Sequence, residues 1–563
     1  MKRSLNWLMN RPGRSVRSRH KSAGRRLRVE QLENRVLMAA DLDWAIGIGS
    51  TGDDGIAGVS TDALGNEYVA GWFSGTVDFD PSEGTHLLTS AGGTDTFAAK
   101  YSPEKALIWV TRMGSPDNNY FDWAEDIAVD SSGNAVVTGN FTGTAIYGST
   151  PPLVSGGGQD AFVVKLDGAT GNITWAKKLG GASTDRGRSV ATDGVGNVYV
   201  GGDGAFSLAK FYANGNQAWV VGGPSPNSIA VDSSGNIYTT GQSSAGSVNF
   251  DPGTGTFILS SNSSFAFVQK LDTDGAFKWA QQFRVASGKG SVFGTDITLD
   301  GGNAYVTGGF TGKVDFDPGT GSLLLTSVRS SNDLFVSRLN SQGSLEWVKT
   351  VGGNGSDIGD GIALDSEKNV YLTGQFQGTV DFDPGAGTYN LPSVGSRDVG
   401  VLKLDALGNF AWAVRIGGSD VFSYLDIAVD PSGNVLVAGD YKGTADFDPG
   451  TGTYNLTSAG GNDAFLVKLT QPVAMLASSS TSVSGNRYTE KSGAESQVTS
   501  LQKSPGKEAA DLIDAVHASP LDPLRRAALP VRDTAGSSDR DSLELIDWES
   551  LDVFDWDSLE LLK

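Results

Sequence analysis

The sequence predicts an all-β fold of repeated four-stranded sheets. Three observations predict it: a turn motif that returns seven times, a tryptophan that closes each repeat, and an unusual glycine content. The segment Asp126-Ile-Ala-Val-Asp-Ser-Ser-Gly-Asn134 recurs at Ser228 to Asn236 and Asp426 to Asn434. Looser copies stand at Val59 to Asn66, Ser189 to Asn197, Asp296 to Asn303 and Gly361 to Asn369. Periodicity at a long fixed spacing identifies a repeat architecture more securely than local propensity does. Glycine supplies 76 of 563 residues, close to twice its usual share of about 7%, which favours tight turns over long helices.

Each element of the repeat follows in order. The motif is followed by an alternating apolar stretch ending near glycine, such as Val435-Leu-Val-Ala-Gly439 or Ala304-Tyr-Val-Thr-Gly308. Alternation across a Gly-Asn turn predicts a β-hairpin, the first two strands. A third apolar stretch follows, as in Ala161-Phe-Val-Val-Lys-Leu-Asp167 or Ala464-Phe-Leu-Val-Lys-Leu469. A fourth contains tryptophan, as in Ile173-Thr-Trp-Ala-Lys-Lys-Leu-Gly180. Four strands per repeat of about 60 to 68 residues describe the blade of a β-propeller, here seven-bladed.

Trp109, Trp175, Trp219, Trp279, Trp347 and Trp412 fall on the fourth strand of six units, while the seventh unit stops after Leu469 without one. At the other end of the chain, Asp43-Trp44-Ala-Ile-Gly-Ile-Gly49 matches Phe410-Ala-Trp-Ala-Val-Arg-Ile-Gly417. Residues 42–49 are therefore expected to supply the outer strand of the last blade and to close the ring. The third unit is short. Gly201-Gly-Asp-Gly-Ala205 runs straight into Phe206-Ser-Leu-Ala-Lys-Phe211, where other units place an extra hairpin.

The pattern Asp-Ile-Ala-Val-Asp-x-x-Gly-Asn-x-Tyr-Val-Thr-Gly, followed by a lysine-centred strand and Trp-Ala-x-x-x-Gly-Gly, resembles the bacterial seven-bladed β-propeller repeat family called SBBP. The resemblance covers about residues 42–470. It implies an exported or surface protein, with no activity shared across the family and no catalytic residues to carry over.

Asp-Phe-Asp-Pro followed by Gly-x-Gly-Thr is the most pointed chemical motif. It places Asp78 with Asp80, Asp315 with Asp317, Asp381 with Asp383 and Asp446 with Asp448, and Asn249-Phe-Asp-Pro252 is a variant. In an extended segment the two carboxylates point the same way and the phenylalanine the other. Such a pair with glycine-turn carbonyls offers calcium hard oxygen ligands. The alternative is a cap on the Pro-Gly turn with the phenylalanine packed between blades. The aspartate opening each Asp-x-x-Gly-Asn turn is expected to bond local backbone, and the fourth-strand tryptophans to pack between sheets. Trp72, Phe73 and Trp123 break the blade pattern near strand ends, which makes them candidate ligand contacts. Asp53, Asp54, Asp122, Glu125, Asp185, Asp357, Asp360 and Asp420 lie between blades, on the face that also holds the Asp-Phe-Asp-Pro hairpins. That face is expected to be acidic and open to a cation, a cationic partner or a calcium-bridged polysaccharide, the alternative being a solvated acidic rim that keeps the protein soluble.

Composition narrows the chemistry. There is no cysteine, so disulfide scaffolds and thiolate metal sites are excluded, and His20, His86 and His517 are too scattered for a zinc cluster or a histidine triad. No apolar run approaches the length of a membrane-spanning helix. Residues 1–40 hold eleven Lys/Arg against Glu30 and Glu33, a balance of +9, so the remainder must carry −30 to give the net charge of −21. An acidic body argues against nucleic-acid binding. No Gly-x-Ser-x-Gly elbow, Walker loop or dinucleotide fingerprint stands in a suitable context.

The chain divides into a basic arm (1–40), the propeller (41–470), a Ser/Thr/Gly/Lys-rich flexible linker (471–507) and an acidic, mostly disordered tail (508–563). In the arm, Leu32-Glu-Asn-Arg-Val-Leu-Met38 resembles the Leu-Glu-Pro-Arg-x-Leu-Leu (LEPR-XLL) segment of planctomycete-type surface or export-associated proteins, with asparagine in place of proline. This resemblance implies export. The tail's eight-residue echo, Asp541-Ser-Leu-Glu-Leu-Ile-Asp-Trp548 into Glu549-Ser-Leu-Asp-Val-Phe-Asp-Trp556, suits a docking or sorting peptide. The resulting expectation is a non-catalytic, extracellular or cell-surface binding or structural module whose rim loops recognise an unknown protein or polysaccharide. The alternative is an extracytoplasmic carbohydrate-active or hydrolytic enzyme using rim carboxylates.

Overall fold

The computed structural model describes residues 40–116, 121–418 and 422–471. The basic arm up to residue 39, Asp420, the linker beyond residue 471 and the acidic tail lie outside these described residues. Strands dominate what is described, with one short 3-10 turn at Val328–Ser330.

Hydrogen-bond registers sort the principal strands into seven four-stranded antiparallel sets. The first runs Gly55–Thr61, Glu67–Phe73, Asp95–Tyr101, Leu107–Met113, and the second Trp123–Val129, Ala135–Phe141, Asp160–Leu166, Ile173–Leu179. The third is Arg186–Thr192, Val198–Asp203, Leu208–Phe211, Gln217–Val221. Phe277–Asp300 is continuous from the outer strand of the fourth set to the inner strand of the fifth. The sixth contains Ile358–Leu364, Val370–Phe376, Asp398–Leu404 and Phe410–Gly418. The seventh pairs Phe422–Val429, Val435–Tyr441 and Asp463–Thr470 with Asp41–Ile48 from the start of the described chain. Trp44 lies opposite Lys468 and Ile46 opposite Leu466. Ends of the described chain thus share one sheet.

Local chemistry explains the repeat. At the turn between first and second strands, Asp130 Oδ1 accepts the N–H groups of Ser132 and Asn134, each at 2.9 Å, and Gly133 takes φ +80°, which glycine adopts without steric cost. The third-strand lysine reaches this same aspartate: Lys165 Nζ is 2.7 Å from Asp130 Oδ2, with both side chains buried. Lys468 repeats the contact with Asp430 at 3.2 Å. Because a buried carboxylate stripped of its partner cation costs about 3–5 kcal/mol, Lys165→Ala should lower the urea midpoint sharply. Adding Asp130→Asn to that variant should recover part of the loss.

Neighbouring sheets are stitched together by the tryptophans. Trp109 Nε1–H donates to the Gly168 carbonyl of the next set at 3.1 Å, Trp175 to Ala213 at 3.1 Å and Trp44 to Pro103 at 3.3 Å. Five of the indoles also meet a second-strand tyrosine edge to face, as with Tyr68 and Trp109 at 6.0 Å, and Trp175 packs on Phe211 at 6.1 Å instead. The tryptophans therefore fill space between sheets. On the innermost strands, Asp126 Oδ2 accepts the Val190 N–H, Asp296 Oδ2 that of Ile362 and Asp426 Oδ2 that of Val59, each joining one set to the next. The last of these bonds links the seventh set to the first.

Extra hairpins decorate six sets, and the third goes without. Its second and third strands connect across Gly204 to Ser207.

Candidate functional site

The Asp-Phe-Asp-Pro segments form capped turns. Asp315 Oδ1 accepts the N–H groups of Asp317 and Leu323, and Asp317 Oδ1 accepts that of Gly319. Asp381, Asp383, Asp446 and Asp448 repeat the pattern. Asp78 bonds Asp80 and His86, and Asp80 bonds Ser82. The second glycine of Gly-x-Gly follows from this geometry: a Cβ on Gly321 would sit 2.2 Å from Asp317 Oδ2. The phenylalanines turn inward, and Phe316 packs on Phe283, Phe310 and Phe335.

The acidic face needs correction. Asp54, Asp122, Asp185 and Asp357 are buried. Each carboxylate clamps two backbone N–H groups, one in the loop entering a sheet and one at the end of that sheet's second strand. Asp122, for example, accepts from Ser115 and Thr142, and Asp357 from Gly353 and Gln377. Each neighbours a second buried aspartate that opens a third strand: Asp463, Asp95, Asp160 and Asp333 respectively. One oxygen of each of these four has no partner. Burial first, and the neighbouring carboxylate second, push Asp333 up to about 7. Asp463 and Asp122 rise to about 6, and burial raises Asp357 to about 6. Of the residues expected to make the rim acidic, Asp53 is exposed and Glu125 half-buried.

Two of the three candidate aromatic contacts meet at one cavity, and the third does not. Phe73 is fully buried because it occupies the aromatic position that the repeat keeps after its second-strand glycine, as Phe141, Phe310 and Phe376 do. It packs on Phe79 and Phe97 inside the sheet. Trp72 and Trp123 instead line a cavity of about 180 Å³ with Tyr424, Glu125, Asp440 and Asp53. Trp72 lies 4.7 Å from Tyr424, edge to face, and 6.2 Å from Trp123. The walls come from the seventh, first and second sets.

Backbone irregularity aims these side chains. Trp72 lies over Gly55, where a Cβ would sit 2.3 Å from the indole. Register shifts between Ala124 and Asp126 and between Ser423 and Asp426 leave Glu125 and Tyr424 out of the ladder, and such bulges re-aim side chains. Tyr424 takes φ +51°, a conformation that strains a bulky residue and concentrates at functional sites. Asp440 is 1% exposed. Its Oδ2 accepts from the Asn462 amide at 2.6 Å, while its Oδ1 has no partner. Burial pushes Asp440 up to about 6 and also raises Glu125. Tyr424 and Asp440 escaped the sequence reading. Asp440 was within reach of it, since it follows Gly439 as Trp72 follows Gly71; Tyr424 left no such signal, because its exposure depends on a bulge.

Residues 174–206 and 225–247 match the SBBP beta-propeller repeat. The chain is a β-propeller repeat protein. Over 506 residues this propeller is 24% identical to the uncharacterized WD repeat-containing protein L264 of Acanthamoeba polyphaga mimivirus, covering 71% of the chain and 36% of that protein. It is 25% identical over 427 residues to the regulatory protein FlaEY of Caulobacter vibrioides, covering 67% of the chain and 42% of that protein. The chain thus spans well under half the length of these curated relatives. Among solved structures it is similar to BamB from Moraxella catarrhalis, at 13% identity and TM-score 0.32, covering 76% of this chain and 98% of the other. A quinohemoprotein alcohol dehydrogenase from Comamonas testosteroni matches at 11% identity and TM-score 0.37, covering 82% and 79%.

Proposed function

We propose that the propeller is a non-catalytic binding module of an exported or cell-surface protein and takes its ligand in the cavity shared by the seventh, first and second sets. One observation carries this reading: Trp72, Trp123 and Tyr424, which depart from the repeat, are far apart in sequence yet line a single cavity. Shared positions build the ring, so departures from the repeat are where recognition is free to differ. The basic arm with Leu32-Glu-Asn-Arg-Val-Leu-Met38 supports export.

A glycan and protein array probed with the whole chain tests the binding. Trp123 is 38% exposed, so Trp123→Ala should keep its melting temperature while weakening the array ligand at least tenfold, about 1.4 kcal/mol. Ligands that bind Trp72→Ala and Trp123→Ala as tightly as the parent would refute the reading. On this proposal the Asp-Phe-Asp-Pro aspartates serve as turn caps rather than calcium ligands, because each pair already accepts backbone donors. Millimolar calcium is then expected to leave the melting temperature unchanged, and a saturable rise would restore the metal.

A further inference from the structure

We propose that the ligand group held in this cavity is an alkylammonium cation, with its N–H directed at Asp440 and its alkyl arms against the aromatic walls. This inference rests on the binding reading above. Three features of the lining lead to it.

The first is charge. Among the residues lining the cavity, Asp53, Glu125 and Asp440 are acidic and none is basic. Arg188 and the exposed Arg186 of the third set approach Glu125 from outside the lining, and Asp203 already holds Arg188 through Nε at 2.9 Å and a second guanidinium nitrogen at 2.6 Å. The second feature is the wall. Two indoles and a phenol, packed at 4.7 and 6.2 Å, line the cavity, and aromatic rings attract cations through their π faces. The third is the free oxygen. Asp440 Oδ1 is buried without a donor, a costly arrangement that a charged N–H would relieve.

Other occupants fit less well. A bare metal ion wants several oxygen ligands, and no group of three or more His, Cys, Asp or Glu side chains suited to a metal occurs among the described residues. A neutral sugar would gain from the indoles but would leave the acidic lining unneutralised.

The test uses the full chain and trimethylammonium chloride, followed through the indole N–H resonances of Trp72 and Trp123, each assigned by Trp→Phe substitution. Saturable shifts in the millimolar range are expected. tert-Butanol, similar in shape but neutral, should bind at least tenfold more weakly. Glu125→Gln and Asp440→Asn should each weaken trimethylammonium several-fold. Glu125→Gln serves as the decisive variant if Asp440→Asn fails to fold. Equal binding of tert-butanol, or no shift beyond a sodium chloride control, would overturn the proposal.

Spermidine and a lysine-bearing peptide then separate a free polyamine from a protein side chain, and saturable binding of either supports the proposal. If an array ligand depends on Trp72 and Trp123 but is uncharged and not displaced by trimethylammonium, the cavity binds and the cation inference fails. If no ligand depends on those tryptophans, the binding reading fails with it.

Discussion

Removing residues 1–49 is expected to abolish cooperative folding of the propeller or to lower its stability by most of its total. Asp41–Ile48 is the outer strand of the last sheet, and Trp44, Ala45, Ile46 and Ile48 are all at least 93% buried. Burying one tryptophan and two isoleucines contributes roughly 1.5–3 kcal/mol each, against a total stability of about 5–15 kcal/mol. Without the strand, the Asp463–Thr470 edge is left unpaired and the Trp44 bond to Pro103 in the first set is lost. Unpaired edges invite aggregation. Urea unfolding followed by circular dichroism should show a broadened, lower transition. A peptide of residues 40–50 added in trans should restore part of it. The milder Ile46→Ala should cost about 2–5 kcal/mol. A truncated chain with an unchanged midpoint would mean that the ring does not depend on this closure.

Stability should fall as the pH rises from 5 to 8. Asp122, Asp357 and Asp463 are raised to about 6 and Asp333 to about 7, whereas unfolded aspartate titrates near 3.9. A carboxyl with a raised folded value binds its proton more tightly in the native state. Its contribution is therefore fully present below about pH 4 and is lost as the pH climbs through 6 to 7. Asp126, on an inner strand, adds in the same direction: burial foremost, with the charge of Asp296 also contributing, brings it to about 7. A two-unit shift corresponds to about 3 kcal/mol, so these coupled groups together amount to several kcal/mol.

Asp62, Asp130 and Asp365 act oppositely. Burial favours their neutral forms, but hydrogen bonds to the charged forms outweigh it and leave all three below the usual range. Their contribution is lost only as the pH falls below about 4. Maximum stability should thus lie between about pH 4 and 6. Urea midpoints at pH 5.0 and 8.0 check this, and a midpoint at pH 8.0 equal to or above that at 5.0 would contradict it. Asp122→Asn, which removes one member of a facing pair, should flatten the dependence.

Much of the architecture could be read along the chain because repetition multiplies each weak local signal. A single Asp-x-x-Gly-Asn turn proves little, but seven of them with tryptophan at a constant offset fix strand order. The unmatched Trp44 stretch then has an evident place beside Leu466, and the missing residues after Gly204 leave the third set without its hairpin. The candidate site was only half legible. Trp72 and Trp123 stood out as departures from the repeat, and Phe73 beside them was misread because a buried repeat aromatic and an exposed one look alike when the strand's facing is unknown. The aspartates between sheets were misplaced for a related reason: an acidic side chain in a loop suggests solvent, yet Asp54, Asp122, Asp185 and Asp357 are drawn inside by pairs of backbone donors.

Sequence alone determined the all-β class, the repeat and its closing strand, since these depend on periodicity and short-range turn chemistry. Only the tertiary structure decided which carboxylates face inward and that Tyr424 and Asp440 join Trp72 and Trp123 around one cavity. Those outcomes depend on bulges and on neighbouring sheets meeting in space, and separation along the chain does not encode such distances.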